Sequence, residues 1–167
     1  MKRVLITGMS GTGKSTVIRM LAERGYKAID ADDGLSEWMP VSDPSHMYSS
    51  AEGEWMWRED LVQELLSTED TDVLFIAGTV RNWTKFRSQF DHVVLLTAPA
   101  ELILERLATR TTNPYGKSAD EVANVMQLIQ TVEPLLRKSA SLEVDTSIPA
   151  NDVVAVILDA VSPAAVD

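Results

Sequence analysis

Residues 8–15 read Gly-Met-Ser-Gly-Thr-Gly-Lys-Ser and fit the pattern G-x-x-x-x-G-K-[ST] without a mismatch. Few stretches this short restrict a chain so tightly. Gly8, Gly11 and Gly13 let the backbone curl with N–H groups turned inward, which makes a cradle for an anion. A helix that follows adds the positive end of its dipole at the same place. Lys14 can reach β- and γ-phosphates, and the Ser15 hydroxyl can ligate Mg²⁺. Thr12 and Thr16, inside and just after the pattern, belong to the same contact surface. A glycine-rich turn would match by chance in about one chain in 170 of this length. Here the flanks also agree. Val4-Leu5-Ile6 reads as a buried strand, and Lys14 to Arg24 as a helix with Val17, Ile18 and Leu21 at helical spacing. The stretch is expected to bind a nucleoside triphosphate, with ATP and Mg²⁺ as the pair.

The same alternation of strand and helix runs on. Tyr26 to Ile29, Val73 to Ala77, Val93 to Leu96 and Leu142 to Val144 read as strands. Helices are expected from Trp55 to Leu66, from Asn82 to Phe90 (short), from Pro99 to Arg110, from Ser118 onward and from Ala150 to Val161. Ser118 with Glu121 fits a capping box, and Val122, Met126 and Ile129 continue the stripe. Asp30 to about Ala51 has no clean period. Strands apolar on both faces belong to a parallel sheet covered by helices. The expectation is α/β: a three-layer α/β/α sandwich around a five-stranded parallel sheet. Residues 1–161 would form one domain, with an acceptor-binding segment over about 31–60, a lid over about 110–118 and a frayed tail over 162–167.

Composition narrows the function. The chain has 25 acidic and 15 basic residues and a formal charge of −10, which disfavours a broad nucleic-acid surface. There is no Cys, so thiolate catalysis and Cys-bound zinc are out, and the two His, His46 and His92, lie far apart. No apolar run approaches the ~20 residues of a membrane helix, nor is there a signal-peptide core. A cytoplasmic protein without nucleic-acid or membrane partners is expected, as monomer or homodimer, acting on a small molecule. The Asn-Lys-x-Asp stretch by which switch GTPases read guanine is absent, and Val73 to Ala77 runs into Gly78-Thr79 with no acid to hold Mg²⁺. Those two features leave the small-molecule kinases.

Four stretches make the chain resemble the shikimate kinase and gluconate kinase group, within the nucleoside-monophosphate-kinase-like fold. Residues 8–15 are the first. Asp30-Ala31-Asp32 looks like that group's Asp-x-Asp pair, which implies that Asp30 helps hold Mg²⁺ through water and Asp32 faces the acceptor hydroxyl. A solvated turn of acids, extended by Asp33, is the plain alternative. Gly53-Glu54-Trp55-Met56-Trp57-Arg58 is similar to a Gly-Glu-x-x-Phe-Arg stretch, which implies that Arg58 grips an acceptor carboxylate. Arg58 pairing with Glu54 on a helix is the alternative there. Arg106 and Arg110, followed by Thr-Thr-Asn-Pro-Tyr-Gly-Lys, look like a kinase lid with adenylate-kinase spacing. The likeness implies Arg106 stacking on adenine, Arg110 on the transferring phosphate and Lys117 closing over it. Salt bridges to Glu101 and Glu105 are the alternative. Asp145 to Pro149 looks like the loop that flanks adenine, through Thr146 and Pro149.

Two departures stand beside the likeness. Gly78-Thr79-Val80-Arg81-Asn82 replaces a Gly-Gly-Gly acceptor loop, leaving Gly78 as its acceptor contact, and an Arg-Pro-Leu lid signature is missing. Shikimate is therefore a doubtful substrate. The combination also resembles small bacterial P-loop proteins described only as ATP-binding or kinase-like.

Of the four Trp, Trp38 follows the Asp pair and is the candidate for stacking on an acceptor ring, with core packing as the alternative for each. On a helix, Trp55 and Trp57 would face different ways. The catalytic set is then Lys14, Asp32 and Arg110. Acceptor contacts come from Asp32, Arg58, Trp38, Gly78 and Lys117, and Mg²⁺ from Ser15 and Asp30. A nucleoside or nucleotide kinase, an ATP-binding regulatory module and an RNA-modifying kinase are the rival readings.

Overall fold

In the computed structural model, residues 1–40, 49–50, 53–111 and 115–162 are described. Thr112, Asn113 and Pro114 of the expected lid, part of the irregular segment after Asp30, His46 within it, and most of the expected tail lie outside them.

The centre is a five-stranded parallel sheet of β1 (Lys2–Thr7), β2 (Lys27–Asp30), β6 (Val73–Ala77), β7 (His92–Thr97) and β8 (Leu142–Asp145), in the order β2-β6-β1-β7-β8. Side chains alternate across it, as the strand period requires. Val4, Ile6, Phe75, Ala77, Val94 and Leu96 turn to one face. There they meet Val17, Ile18 and Leu21 of α1 (Lys14–Glu23) and Val153, Val154, Ile157 and Val161 of α6 (Ala150–Val161). Leu5, Leu74, Ile76, Val93 and Leu95 turn to the other. They are covered by Val62 and Leu66 of α2 (Glu59–Ser67), by Trp83 and Phe86 of a 3₁₀ helix (Arg81–Gln89) and by Leu136 of α5 (Glu133–Ser139). The expected three layers are present.

α3 (Ala100–Thr109) starts after Pro99, whose fixed φ suits a helix start. α4 (Ala119–Thr131) opens on the expected capping box: the Glu121 N–H donates to Ser118 Oγ, and the Glu121 carboxylate accepts from the Ser118 N–H. Ile103, Leu107 and Val125 seal α3 to α4. A new helix, α5, follows at Glu133 with Pro134 in its first turn.

One element differs from expectation. Trp55 to Trp57 lies in a strand, β5 (Gly53–Trp57), and helix begins only at Glu59. β5 pairs antiparallel with β3 (Ser36–Met39) and β4 (Ser49–Ser50), forming a second, three-stranded sheet. On a strand, residues two apart share a face. Trp55 and Trp57 accordingly pack against one cluster, Trp57 fully buried and Trp55 at its margin.

Candidate functional site

β1, β2 and β6 all end at the same edge of the sheet, and each hands over to one part of the site. This carboxyl edge is where open α/β sheets bind ligands. β1 leads into residues 8–13, which bend sharply before α1. A Cβ at position 8, where φ is +150°, would lie 2.5 Å from the Leu96 carbonyl oxygen, so only glycine fits. β6 delivers Thr79, whose buried hydroxyl donates to Gly8 O (2.8 Å) and receives the Gly8 N–H (3.2 Å). Thr79 thus anchors the loop's first residue, a role that its place after a glycine in the sequence does not signal.

Lys14 folds beneath the loop. Its ammonium donates to Gly8 O (2.6 Å) and Met9 O (3.1 Å). Burial lowers its pKa to about 8; Asp32 and Asp30 nearby pull it back up, and Arg110 adds to the lowering.

β2 ends on the paired acids. Ser15 Oγ donates to Asp30 Oδ2 (3.1 Å), and Asp30 Oδ1 accepts the Asp32 N–H (3.0 Å). Asp32 Oδ1 accepts from the Trp55 indole N–H (3.0 Å). Trp55 stands edge-on to its cross-strand partner Trp38, with ring centres 5.2 Å apart, and Trp38 is 45% exposed. A connected line therefore runs from the loop hydroxyl to the β3–β5 hairpin. Ser15 and Asp30 are hard oxygen donors of the kind Mg²⁺ takes beside substrate phosphates. Among the described residues no group of three or more His, Cys, Asp or Glu is placed to hold a metal ion.

A cavity of about 510 Å³ joins these parts. Residues 10–16, Asp32, Arg106, Arg110 and Thr146 line it, together with Ile148, an exposed apolar side chain that sequence patterning passes over. The remaining candidates sit outside its walls. Pro149 is the N-cap of α6. Gly78 lies against Trp57, where a Cβ would come within 2.9 Å of the indole nitrogen. Arg58, at the start of α2, faces Asp60 (3.4 Å) and Glu37 (3.9 Å). Glu54, the helical partner considered for Arg58, is buried and pairs with Arg81 at 2.7 Å. Arg110 donates to Tyr115 O (2.9 Å), and burial lowers its pKa from the usual guanidinium value. Lys117 donates to Ala108 O (2.8 Å) in the last turn of α3.

The chain has clear likenesses. The AAA domain family model matches residues 4–127. The shikimate kinase of Rhodopseudomonas palustris is 32% identical over 154 residues, covering 90% of this chain and 73% of that protein. The shikimate kinase of Caldicellulosiruptor bescii is 28% identical over 155 residues, covering 89% and 88%. Among solved structures, shikimate kinase from Acinetobacter baumannii in complex with shikimate superposes with a TM-score of 0.67 at 25% identity, covering 96% of this chain and 93% of that one. A gluconokinase from Sinorhizobium meliloti shares the fold, with a TM-score of 0.59 at 21% identity, covering 92% and 87%. With its loop, its paired acids and this sheet order, the chain belongs to the P-loop small-molecule kinases of the shikimate kinase and gluconate kinase group.

Proposed function

We propose that the protein transfers the γ-phosphate of ATP to a hydroxyl of a small anionic metabolite. The observation that carries this reading is that Asp32 lines one cavity with Lys14 and the phosphate loop, while its neighbour Asp30 holds Ser15. Asp32 accepts the hydroxyl proton as the acceptor oxygen bonds to phosphorus. The bond from the γ-phosphorus to its bridging oxygen breaks, and that oxygen leaves on ADP with the electron pair. Lys14 and Arg110 offset the charge on the transferring group; most of the rate enhancement is positioning and electrostatics. Ser15 and, through water, Asp30 would hold Mg²⁺, which would supply positive charge against the triphosphate. Arg58 supplies the guanidinium for the acceptor's anionic group once it leaves Asp60 and Glu37. Lys117, once it leaves Ala108 O, closes over the phosphates and helps exclude water.

A second reading, a nucleoside kinase, draws on the exposed Trp38, packed edge-on to the Trp55 that holds Asp32. An ATP-consumption screen over shikimate, gluconate, other sugar acids, nucleosides, nucleotides and hydroxylated antibiotics separates the two, with Lys14→Ala as the blank. Sugar acids should be phosphorylated, shikimate poorly. Turnover confined to nucleosides would replace the first reading with the second. ATP binding without any phosphorylated product would leave a regulatory module. Asp32→Asn should keep ATP affinity and lose most turnover; near-normal turnover would remove the base assignment.

A further inference from the structure

A phosphate cradle works only if its peptide units face the right way. The peptide is planar, so a carbonyl held on one side fixes the next N–H on the other. In this loop each carbonyl from the group Gly8, Met9, Gly11 and Thr12 has a named partner. Lys14 and Thr79 take Gly8, and Lys14 with the Thr12 hydroxyl (2.7 Å) takes Met9. The other two are held from outside. Arg106, on α3, donates from Nη1 to Gly11 O (3.2 Å) and to Thr146 Oγ1 (2.9 Å), and from Nη2 to Thr146 O (2.6 Å). Thr146 Oγ1 in turn donates to Thr12 O at 2.7 Å. Thr146 is buried, and its own N–H is tied to Thr97 O (2.8 Å) at the end of β7.

We infer that Arg106 and Thr146 form a brace that presets the phosphate loop, so that Arg106 acts as a positioning residue for phosphate binding rather than through the base. The Thr12 carbonyl, fixed on Thr146, sends the Gly13 N–H to the opposite side of its peptide plane, and Gly13 lines the cavity. The Gly11 carbonyl, fixed on Arg106, sets the turn that the Thr12 N–H closes onto Met9 O at 3.3 Å. Position 11 is itself pressed onto α3: a Cβ there would meet Ile103 and Leu107 side chains at 3.1 Å. α3, the loop and the β8–α6 connection are thereby locked before any ligand arrives, which removes an ordering cost from binding.

The brace rests on the reading of the loop as the ATP site, and the test keeps the two apart. Affinities for Mg·ATP and for inorganic tripolyphosphate, which has no base, are measured well below the melting temperature. Wild-type protein that binds neither would overturn the ATP reading and the brace with it. With wild-type binding established, Thr146→Val and Arg106→Gln should each weaken both ligands by a similar factor, about tenfold. The double variant should lose little more than either single one, because the two side chains act as one unit. Thr146→Ser, which restores the hydroxyl, should bind like wild type even if Thr146→Val lowers stability. Loss of ATP affinity with tripolyphosphate binding intact would assign Arg106 to adenine and overturn the brace. Unchanged affinity for both ligands, with only the melting temperature lowered, would make the cluster purely structural.

Discussion

Enclosing the Lys14 ammonium disfavours its charge, and the carboxylates of Asp30 and Asp32 only partly restore it. The folded-state pKa of about 8 lies below the ordinary lysine value of 10.5. The sign follows: the charged, enclosed ammonium costs stability below about pH 8, and that cost fades as pH rises toward the unfolded value. Phosphates favour the charged form. From about pH 8 upward ATP binding must therefore draw in a proton, and affinity should fall by up to tenfold per pH unit. Calorimetry in buffers of differing ionisation enthalpy reads both effects; a flat affinity with no proton uptake above pH 8 would contradict the cause assigned here. Trp55 makes the second residue-scale case. Trp55→Phe keeps an aromatic ring, though a smaller one, and deletes the N–H that holds Asp32. With an acceptor found by the screen, kcat should drop about tenfold while the KM for ATP holds. A lower affinity for ATP instead would show that the hairpin acts on the nucleotide. Glycines and Lys14 are legible in the sequence because the chemistry demands them at fixed spacing. Thr79 and Trp55 are not, because their partners lie 71 and 23 residues away.

At the scale of elements, local periodicity foretells what local forces decide. The Ser118–Glu121 box is such a case, since both partners sit within one turn. Ser118→Ala removes one of its two hydrogen bonds and should cost about 1 kcal/mol, a fall of about 2–4 °C in melting temperature. ATP binding should be unchanged, since Ser118 is outside the cavity walls. A melting temperature within error of wild type would mean that the α4 start is held by the Leu107–Val125 packing instead. The β3–β5 hairpin is the opposite case. The Leu61, Leu65 and Leu66 spacing of α2 extends backward over Trp55 and imitates a longer helix. What decides for strand is non-local: Trp38 lies across from Trp55 and Ser36 across from Trp57, and the Asn82 side chain bonds both the N–H and the carbonyl of Trp57 (3.1 and 2.9 Å). No periodicity within residues 53–66 carries those pairings.

The whole molecule distributes its charge unevenly, and this bears on what it selects. Many surface bases are matched to carboxylates: Arg19 with Glu23, Lys27 with Asp70, Lys85 with Glu59, and Arg137 with Glu133 and Glu143. Lys14 and Arg106 instead donate to main-chain oxygens around the loop, so their positive charge remains available to the cavity. On a chain of net charge −10, the described cavity is lined by Lys14, Arg106 and Arg110 against the single carboxylate of Asp32, a wall of net positive charge. Such a wall should admit a triphosphate and disfavour a long polyanion, whose flanking charges would meet the chain's excess of carboxylates. Mg·ATP at about 100 times its Kd should raise stability by about 2.7 kcal/mol, which for a chain of this size is about 5–10 °C in melting temperature. Lys14→Ala should show almost none of that rise. Single-stranded RNA at the same phosphate concentration should neither raise the melting temperature nor displace ATP at low salt, where any polyanion contact would be strongest. RNA that competes with ATP under those conditions, and loses the competition as salt is added, would mean that the carboxylates leave a path beside the cavity and that a polymer end can enter it.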